Sequence, residues 1–213
     1  MPRYDRVIWD FNGTILDDLM VGIKSADELL LRYHLPPIQT VARYHEVFGF
    51  PIRDYYQRLG FDFSKTDYSV LAHEWVEIYL RRVKDATTRD GVIEVVKELQ
   101  HRGVSQTVLS MTESNMLHQQ LSLLGLQDTF DEVCGLDNIY ASSKLELASL
   151  WRKQHPAEHV LFVGDTSHDA ESAKIIGCDC VLLTGGHESR EVLLRSGVDV
   201  IDSPYEMITH YFQ

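Results

Sequence analysis

The stretch Val7-Ile8-Trp9-Asp10-Phe11-Asn12-Gly13-Thr14 leads an apolar run into a carboxylate and then into a tight Gly-Thr turn. A short apolar run that ends at a turn predicts a buried strand, so Asp10 should stand at a strand end. A second apolar run, residues 160–164, is followed by Asp165 and Asp169 in the same way. These carboxylates should meet at one edge of a sheet, which indicates a metal and a nucleophile.

Apolar runs alternate with helical patterns at the start of the chain and again from about residue 90. This alternation predicts an α/β fold, a Rossmann-like, doubly wound, mainly parallel sheet with helices on both faces. Ligands of such folds bind at the carboxyl ends of the strands. The predicted strands are Arg6–Asp10, Ser105–Ser110, Asp131–Gly135, His159–Asp165 and Asp179–Thr184. The predicted helices are Val92–His101, Ser114–Leu124, Lys144–His155 and Ala170–Ile176.

Between Asp17 and about Val83 the pattern changes to successive helices without a convincing strand. Pro51 suits the first turn of one helix, and Ser64 is a candidate N-cap for the next. The acidic pair Asp17-Asp18 is expected to begin the first of these helices, at its positive end. We therefore expect a helical cap domain at residues 17–83, inserted into a Rossmann-like core formed by residues 1–16 and 84–213.

The charge balance limits the partners of the chain. Its 213 residues carry a formal net charge of -12, which disfavours nucleic acid or an anionic membrane surface as a main partner, because either needs a basic face. A small phosphorylated metabolite is still a suitable partner, because local cations and a metal can bind it. Residues 1–6 contain no apolar signal core, and no apolar run approaches the length of a membrane span. We therefore expect a cytoplasmic protein that is a monomer or a homodimer.

The three cysteines, Cys134, Cys178 and Cys180, give no disulfide framework and lie in apolar, strand-like contexts. We expect them to be reduced core residues. The alternative, a metal site at the Cys178-x-Cys180 pair, lacks the spacing and the further ligands of typical zinc sites.

The residues at the predicted strand ends are of the types that phosphoryl chemistry needs. Asp10 is the candidate nucleophile, and the backbone N–H groups of Gly13 and Thr14 would hold the phosphoryl oxygens. Asp10 and Asp165 supply oxygen ligands of the kind that Mg²⁺ prefers, and Asp169 would complete or orient that set.

Two further polar residues are candidates for the same site. Lys144 follows a Ser-rich loop, residues 141–143, and would place an ammonium near the phosphoryl group. Ser110 ends another predicted strand, where its hydroxyl would donate to that group.

Four segments, taken together, resemble the motifs of the haloacid dehalogenase superfamily, in its phosphoglycolate phosphatase-like branch with an α-helical cap. They are D-x-D-G-T at residues 10–14, a strand ending in serine at 108–110, a lysine at 144, and G-D-x-x-x-D at 164–169. Each motif alone is weak, but four in the right order and context form a specific signal. The resemblance covers essentially the whole chain.

The resemblance implies Mg²⁺-dependent hydrolysis of a phosphate monoester through an aspartyl-phosphate on Asp10. It also implies that Asp10, the backbone carbonyl of Asn12 and Asp165 bind the metal. The residues that we assign to substrate contacts are Gly13, Thr14, Ser110, Met111 and Arg53.

Asn12 departs from the family pattern, because family phosphatases place their general acid and base at this position. An amide cannot protonate a leaving oxygen or activate a water, and losing such a group costs about 10²–10⁴-fold in rate. We therefore expect weakened turnover with binding retained. Three explanations stay open: a substrate with a good leaving group, such as an acyl phosphate or anhydride; a sensor or pseudoenzyme; and a substitution that traps a complex.

Two functions from different classes are consistent with these residues. The first is a Mg²⁺-dependent phosphatase that acts on a small, phosphoglycolate-like organic phosphate. The second is a catalytically impaired phosphometabolite-binding or regulatory protein. Phosphonate hydrolysis or dehalogenation is a minor alternative, because relatives with other chemistry also vary position 12.

Three other positions have both a functional and a plainer interpretation. Arg53 lies in a segment that resembles the specificity loop of capped relatives, where it would pair with a substrate carboxylate or second phosphate; otherwise it is a solvated helix residue. His168 is either a base or a surface or supporting residue. Residues 184–187 resemble a family loop at the active-site rim, or form a flexible turn.

Overall fold

A computed structural model describes residues 4–139, 144–156 and 159–213. Its centre is a sheet of six strands in which all neighbouring strands are parallel. The strands are β1 (Arg6–Trp9), β2 (Ser105–Glu113), β3 (Glu132–Leu136), β4 (Val160–Gly164), β5 (Asp179–Leu183) and β6 (Asp199–Ile201). Their order across the sheet is β3-β2-β1-β4-β5-β6, which confirms the doubly wound α/β fold.

Four helices follow β1 before the sheet resumes: α1 (Leu19–Arg32), α2 (Val41–Val47), α3 (Ile52–Arg58) and α4 (Tyr68–Arg82). Their apolar faces form a cluster of their own, which runs in sequence from Leu19 to Ile78. The chain enters and leaves this block side by side, since Asp17 N donates to Thr87 O at 2.9 Å and Arg89 N donates to Ile15 O at 2.9 Å. This arrangement supports a cap at residues 17–83, and the division between cap and core stays a prediction.

The remaining helices cover both faces of the sheet: α5 (Val92–His101), α6 (Ser114–Leu123), α7 (Lys144–Gln154), α8 (Ser167–Ile176), α9 (Arg190–Leu194) and α10 (Tyr205–Tyr211). Side chains of β1 alternate between the two faces. Val7 and Trp9 join the apolar cluster that contains α5, α6 and α10. Ile8 joins the cluster that contains α7, α8 and α9. β1 is therefore buried on both sides, and the turn that follows it leads into the site.

The structure corrects several predicted boundaries. The short elements β6, α9 and α10 were not predicted, because runs of three to seven residues give little periodicity. Ser64 does not cap a helix; Asp67 caps α4 instead, and its carboxylate accepts from Ser69 N at 2.7 Å. α8 begins at Ser167 and not at Ala170.

Each described helix is too short or too polar to cross a membrane. All three cysteines are free thiols. None of them belongs to a group of potential metal ligands within the described ranges.

Candidate active site

Asp10 follows β1 directly, and its buried carboxylate meets the ammonium of Lys144 at the start of α7. Lys144 Nζ also donates to Asp169 Oδ1 at 2.5 Å. Burial by itself lowers the pKa of an amine, but the charges of Asp10 and Asp169 outweigh it and raise the pKa of Lys144. Lys144 is therefore a fixed cation at this site. The Ser-rich loop predicted before it, residues 141–143, lies outside the described residues.

The two acids of the fourth motif are held by their own strand and loop. Asp165 follows β4, and its carboxylate accepts from Thr14 Oγ1 at 3.0 Å and from His187 N at 2.6 Å. Asp169 Oδ2 accepts from Thr166 N at 3.0 Å and Thr166 Oγ1 at 2.7 Å, which fixes it at the first turn of α8. Both oxygens of Asp169 are thus engaged, one by Lys144 and one by Thr166.

Three carboxylates converge here, and they fit a divalent cation. Oxygens of Asp10, Asp165 and Asp169 lie within 4.8 Å of one another. Burial raises the pKa of Asp10, and the neighbouring acids add to this against the effect of Lys144. Burial also raises the pKa of Asp165, against the positive charge of His187. One ammonium does not balance this cluster, and hard oxygen donors in such a setting suit Mg²⁺.

Gly13 shapes the turn after Asp10. Its φ is +74°, and a Cβ at this position would lie 2.2 Å from Asp165 Oδ2, so a side chain would displace that carboxylate. Gly13 N donates to Asp18 Oδ1 at 2.8 Å, and Thr14 N faces Phe11 O at 3.4 Å. Both N–H groups are therefore engaged within the protein, and the structure lends no support to their predicted contact with phosphoryl oxygens. Thr14 supports Asp165 through its hydroxyl instead.

Asn12 belongs to a buried polar network that the sequence did not indicate. Its Nδ2 donates to Asp18 Oδ2 and to the Tyr79 hydroxyl, each at 2.8 Å. Tyr79 in turn donates to Asp18 at 2.6 Å, and Thr112 Oγ1 donates to Asn12 Oδ1 at 2.7 Å. Because a carboxylate only accepts hydrogen bonds, Asp18 requires a donor at position 12. Asp18 does stand at the N-cap position of α1, as expected, but its side chain makes no capping bond and its carboxylate joins this network instead.

His187 completes this network from the loop after β5. Its Nε2 lies 3.2 Å from Asp18 Oδ1, and its Nδ1 lies 2.9 Å from the Tyr44 hydroxyl. Burial by itself lowers the pKa of an imidazole, but the charge and hydrogen bond of Asp18 dominate and raise the pKa of His187 to about 9. For Asp18, burial opposes ionisation, and His187, Tyr79 and Asn12 outweigh it, so its pKa is lowered. The pair is ionic at neutral pH.

A sequence profile described as haloacid dehalogenase-like hydrolase matches residues 7–183. The chain belongs to this family. A phosphoglycolate phosphatase from Pseudomonas putida is 25% identical over 213 residues, which cover 95% of this chain and 77% of that protein. A pyrophosphatase, PpaX, from Oceanobacillus iheyensis is 24% identical over 174 residues, covering 79% and 78% of the two chains.

The fold comparison agrees with the sequence match. A haloacid dehalogenase-like hydrolase from Streptococcus pneumoniae covers 99% of both chains with a TM-score of 0.83 and 19% identity. At this identity the likeness concerns the fold. The predicted resemblance to the haloacid dehalogenase superfamily, and with it the assignment as a hydrolase of this family, is confirmed.

The family's second motif lies beside the acids. Ser110 is buried, and its hydroxyl donates to Thr112 Oγ1 at 3.2 Å. β2 continues to Glu113, and its pairing with β3 shifts after Leu109, so Ser110 marks the end of regular pairing and not of the strand. Ser110 and Met111 both line the cavity above Asp10.

Two other candidates lie differently. Arg53 is exposed, its guanidinium stands 4.5 Å from the Phe63 ring centroid, and it does not line the cavity. His168 is buried at the cavity rim, where its ring stacks on Phe50 at 4.5 Å. Its Nδ1 lies 3.0 Å from Glu171, which favours a supporting role.

The loop of residues 184–187 belongs to the site. A Cβ on Gly186 would lie 2.2 Å from Asp165 Oδ2, so this loop also packs directly on the acids. Arg89 ties it to the turn after β1, since its guanidinium donates to Gly13 O at 2.7 Å and Thr184 O at 2.6 Å. Arg89, Asp18, Tyr79 and Tyr44 were missed by sequence reasoning, because no local pattern pairs residues so distant in the chain.

A cavity of about 200 Å³ lies between these strand ends and the helices α1–α4. Its floor contains Asp10, Lys144 and Asp169. The cap closes over it through the contact of Tyr44 with His187 and through His45 Nε2, which lies 3.0 Å from Gly186 O. The acidic cluster therefore lies in a partly open cavity between the sheet and these helices.

Proposed function

We propose that the chain is a Mg²⁺-dependent phosphatase that hydrolyses a small organic phosphate through an aspartyl-phosphate on Asp10. One observation carries this proposal: three buried carboxylates and the Lys144 ammonium converge beside a cavity at the strand ends. Relatives named phosphoglycolate phosphatase and pyrophosphatase support the reaction class. Phosphoglycolate and pyrophosphate are accordingly the first substrates to test.

In the proposed reaction, a carboxylate oxygen of Asp10 attacks phosphorus while the bond to the leaving oxygen breaks. Lys144 offsets the negative charge of the phosphoryl oxygens from a fixed position. Asp10, Asp165 and the backbone carbonyl of Asn12 would hold Mg²⁺, which supplies further charge compensation when bound. Asp169 orients Lys144 and the start of α8, because both of its oxygens are already engaged.

Asn12 weakens both halves of the proposed reaction. Its amide donates to Asp18 and Tyr79, and it has no acidic proton to transfer to a leaving oxygen. Hydrolysis of the aspartyl-phosphate would likewise proceed without a base at this position. We therefore propose slow turnover, by about 10²–10⁴-fold relative to a site with a carboxylic acid here.

The experiment is a phosphate-release assay on phosphoglycolate, pyrophosphate, aryl phosphates and acyl phosphates, with Mg²⁺ and with chelator. We expect release that requires Mg²⁺ and falls by at least about 10³-fold in Asp10→Asn. The control is Asp17→Asn, which removes an exposed carboxylate from the same segment. Full activity in Asp10→Asn would exclude the nucleophile assignment.

Asn12 also favours a second candidate function, a phosphometabolite-binding protein. In that case a phosphate ester would stabilise the fold in the presence of Mg²⁺ without releasing phosphate. Thermal denaturation with each compound of the same panel separates this outcome from turnover.

A further inference from the structure

The walls of the cavity are aromatic. Above the polar floor, helices α1–α4 and their connections contribute the rings of Tyr44, Phe48, Tyr55, Tyr56, Tyr68 and Trp75. Several of these rings pack edge to face against one another, as Tyr44 and Phe48 do against Tyr55. Such a wall binds flat apolar groups well, because aromatic contacts add to the burial of apolar surface.

The same walls offer little to an anionic substituent. Among the described lining residues, the one lysine or arginine is Lys144, which is already paired with Asp10 and Asp169. His187 also lines the cavity, but its imidazole is paired with Asp18. Glu113 adds a further acid to the lining. A substrate carboxylate, such as that of phosphoglycolate, would therefore find no free cation there.

The cationic side chains of α1–α4 are used elsewhere. Arg32, Arg81 and Arg82 pair with Glu28 on the outer surface. Arg58 donates to two backbone carbonyls, those of Val47 and Gly49. The part of the described lining that α1–α4 supply is therefore mainly aromatic and contains no lysine or arginine.

The cavity volume and the chemistry of the leaving group both favour a substrate with one aromatic ring, as the aromatic walls do. Dry cavities of about 150 Å³ accept benzene, so about 200 Å³ accommodates one six-membered ring. Asn12 cannot protonate a leaving oxygen, and a phenol ionises near pH 10 whereas water ionises near 15.7. A phenolate therefore leaves without the proton that an alkoxide would need.

Resting on the proposed phosphatase function, the geometry points to an aryl phosphate monoester with a single substituted ring as the substrate. Asp10 forms a bond to phosphorus, the bond between phosphorus and the phenolic oxygen breaks, and the electron pair leaves on that oxygen. The phenolate then takes a proton from water. A second water cleaves the aspartyl-phosphate, which returns the Asp10 carboxylate and releases inorganic phosphate.

Three esters distinguish the effect of the ring on binding from the effect of the leaving group on turnover. They are phenyl phosphate, benzyl phosphate and phosphoglycolate, assayed on the wild-type chain with Mg²⁺. Benzyl phosphate has the ring but leaves as an alkoxide. We expect KM for phenyl and benzyl phosphate to agree within about threefold, and kcat for benzyl phosphate to be about 10²-fold lower. We expect kcat/KM for phenyl phosphate to exceed that for phosphoglycolate by about 10²-fold. Phosphoglycolate as the better substrate would overturn the inference and leave the phosphatase proposal standing.

A binding measurement judges the cavity independently of turnover. Isothermal titration with Mg²⁺ compares phenylphosphonate with phosphonoacetate, neither of which can be hydrolysed as an ester. We expect phenylphosphonate to bind at least about 10-fold more tightly. If no ester releases phosphate, the proposed function fails, and tighter binding of phosphonoacetate would then overturn the cavity inference as well.

Discussion

Asn12 and Asp18 act as a matched pair. The amide donates to a buried carboxylate that also accepts from Gly13 N, Tyr79 and His187. An aspartate at position 12 would face this carboxylate as a second acceptor, with no proton between the two oxygens. The identity of residue 12 is therefore coupled to that of residue 18, and restoring an acid requires both positions to change.

Asn12→Asp alone should gain little activity and should lower the free energy of unfolding by about 1–3 kcal/mol, because a half-buried carboxylate would touch the buried carboxylate of Asp18. The double variant Asn12→Asp/Asp18→Asn exchanges acceptor and donor, and we expect it to raise turnover by about 10²-fold or more. Phosphate release and urea denaturation of both variants check this, with Asp18→Asn alone as control. A single variant that matches the double variant in both measurements would exclude the coupling.

His187 makes the stability of the protein depend on pH. Its pKa is about 9 in the fold and 6.5 ordinarily, so the folded chain holds a proton that the unfolded chain releases between these values. This contribution, roughly 3 kcal/mol, is complete below about pH 6.5 and is lost as pH rises to about 9. Urea denaturation at both pH values should show the loss in the wild type.

The variant His187→Gln provides the control for this pH dependence. Glutamine keeps a donor for Asp18 but does not titrate. We expect the fall in stability between pH 6.5 and 9 to shrink in this variant. A fall of the same size in both proteins would assign the effect to another group.

At the scale of elements, strand ends set the site. β1 and β4 are neighbours, so Asp10 and Asp165 emerge side by side although they are far apart in sequence. Their apolar runs and the turn after each one allowed both strands, and the convergence of the acids, to be predicted from sequence. Asp18 and Tyr79 come from different cap helices, and no periodicity indicates that they meet. The predicted start of α8 was too late by three residues. Asp169 was interpreted as a residue of the site alone, whereas it also accepts from Thr166 N in the first turn of the helix.

Alanine substitutions at two glycines with nearly the same φ distinguish the effect of backbone strain from that of displacing a neighbouring side chain. Gly13 has φ +74° and Gly177 has φ +73°, but a Cβ on Gly177 would meet nothing within 4 Å. Alanine at either position costs about 1 kcal/mol in backbone strain. We expect only Gly13→Ala, which displaces Asp165, to lose about 10²-fold in phosphate release. Equal activity in the two variants would contradict the steric role of Gly13.

At the scale of the whole molecule, the cap and the sheet share one polar interior. Tyr44 reaches from the cap to His187, the Tyr79 hydroxyl accepts from Asn12, and Phe50 stacks on His168. The family motifs gave the hydrolase class from sequence alone. The aromatic cavity did not follow from sequence, because its rings come from three helices whose packing is set by tertiary contacts.

Mg²⁺ should stabilise the whole chain, because the folded acids bind it and the unfolded chain does not hold them together. At 100 times its Kd, the gain is about 2.7 kcal/mol. Thermal denaturation over a Mg²⁺ series, with and without chelator, measures this gain. Asp165→Asn should abolish the stabilisation by Mg²⁺, whereas the control Asp17→Asn should retain it. Stabilisation of Asp165→Asn as large as that of the wild type would exclude Asp165 as a metal ligand.

The burial of Lys144 has a practical consequence for labelling. The residue is 2% exposed and its amine stays protonated between two acids, whereas the other six lysines of the chain are exposed. Electrophiles that react with neutral amines should therefore modify the exposed lysines and leave Lys144 unmodified. Dyes or a solid support attached through lysine chemistry would leave the reactive centre untouched.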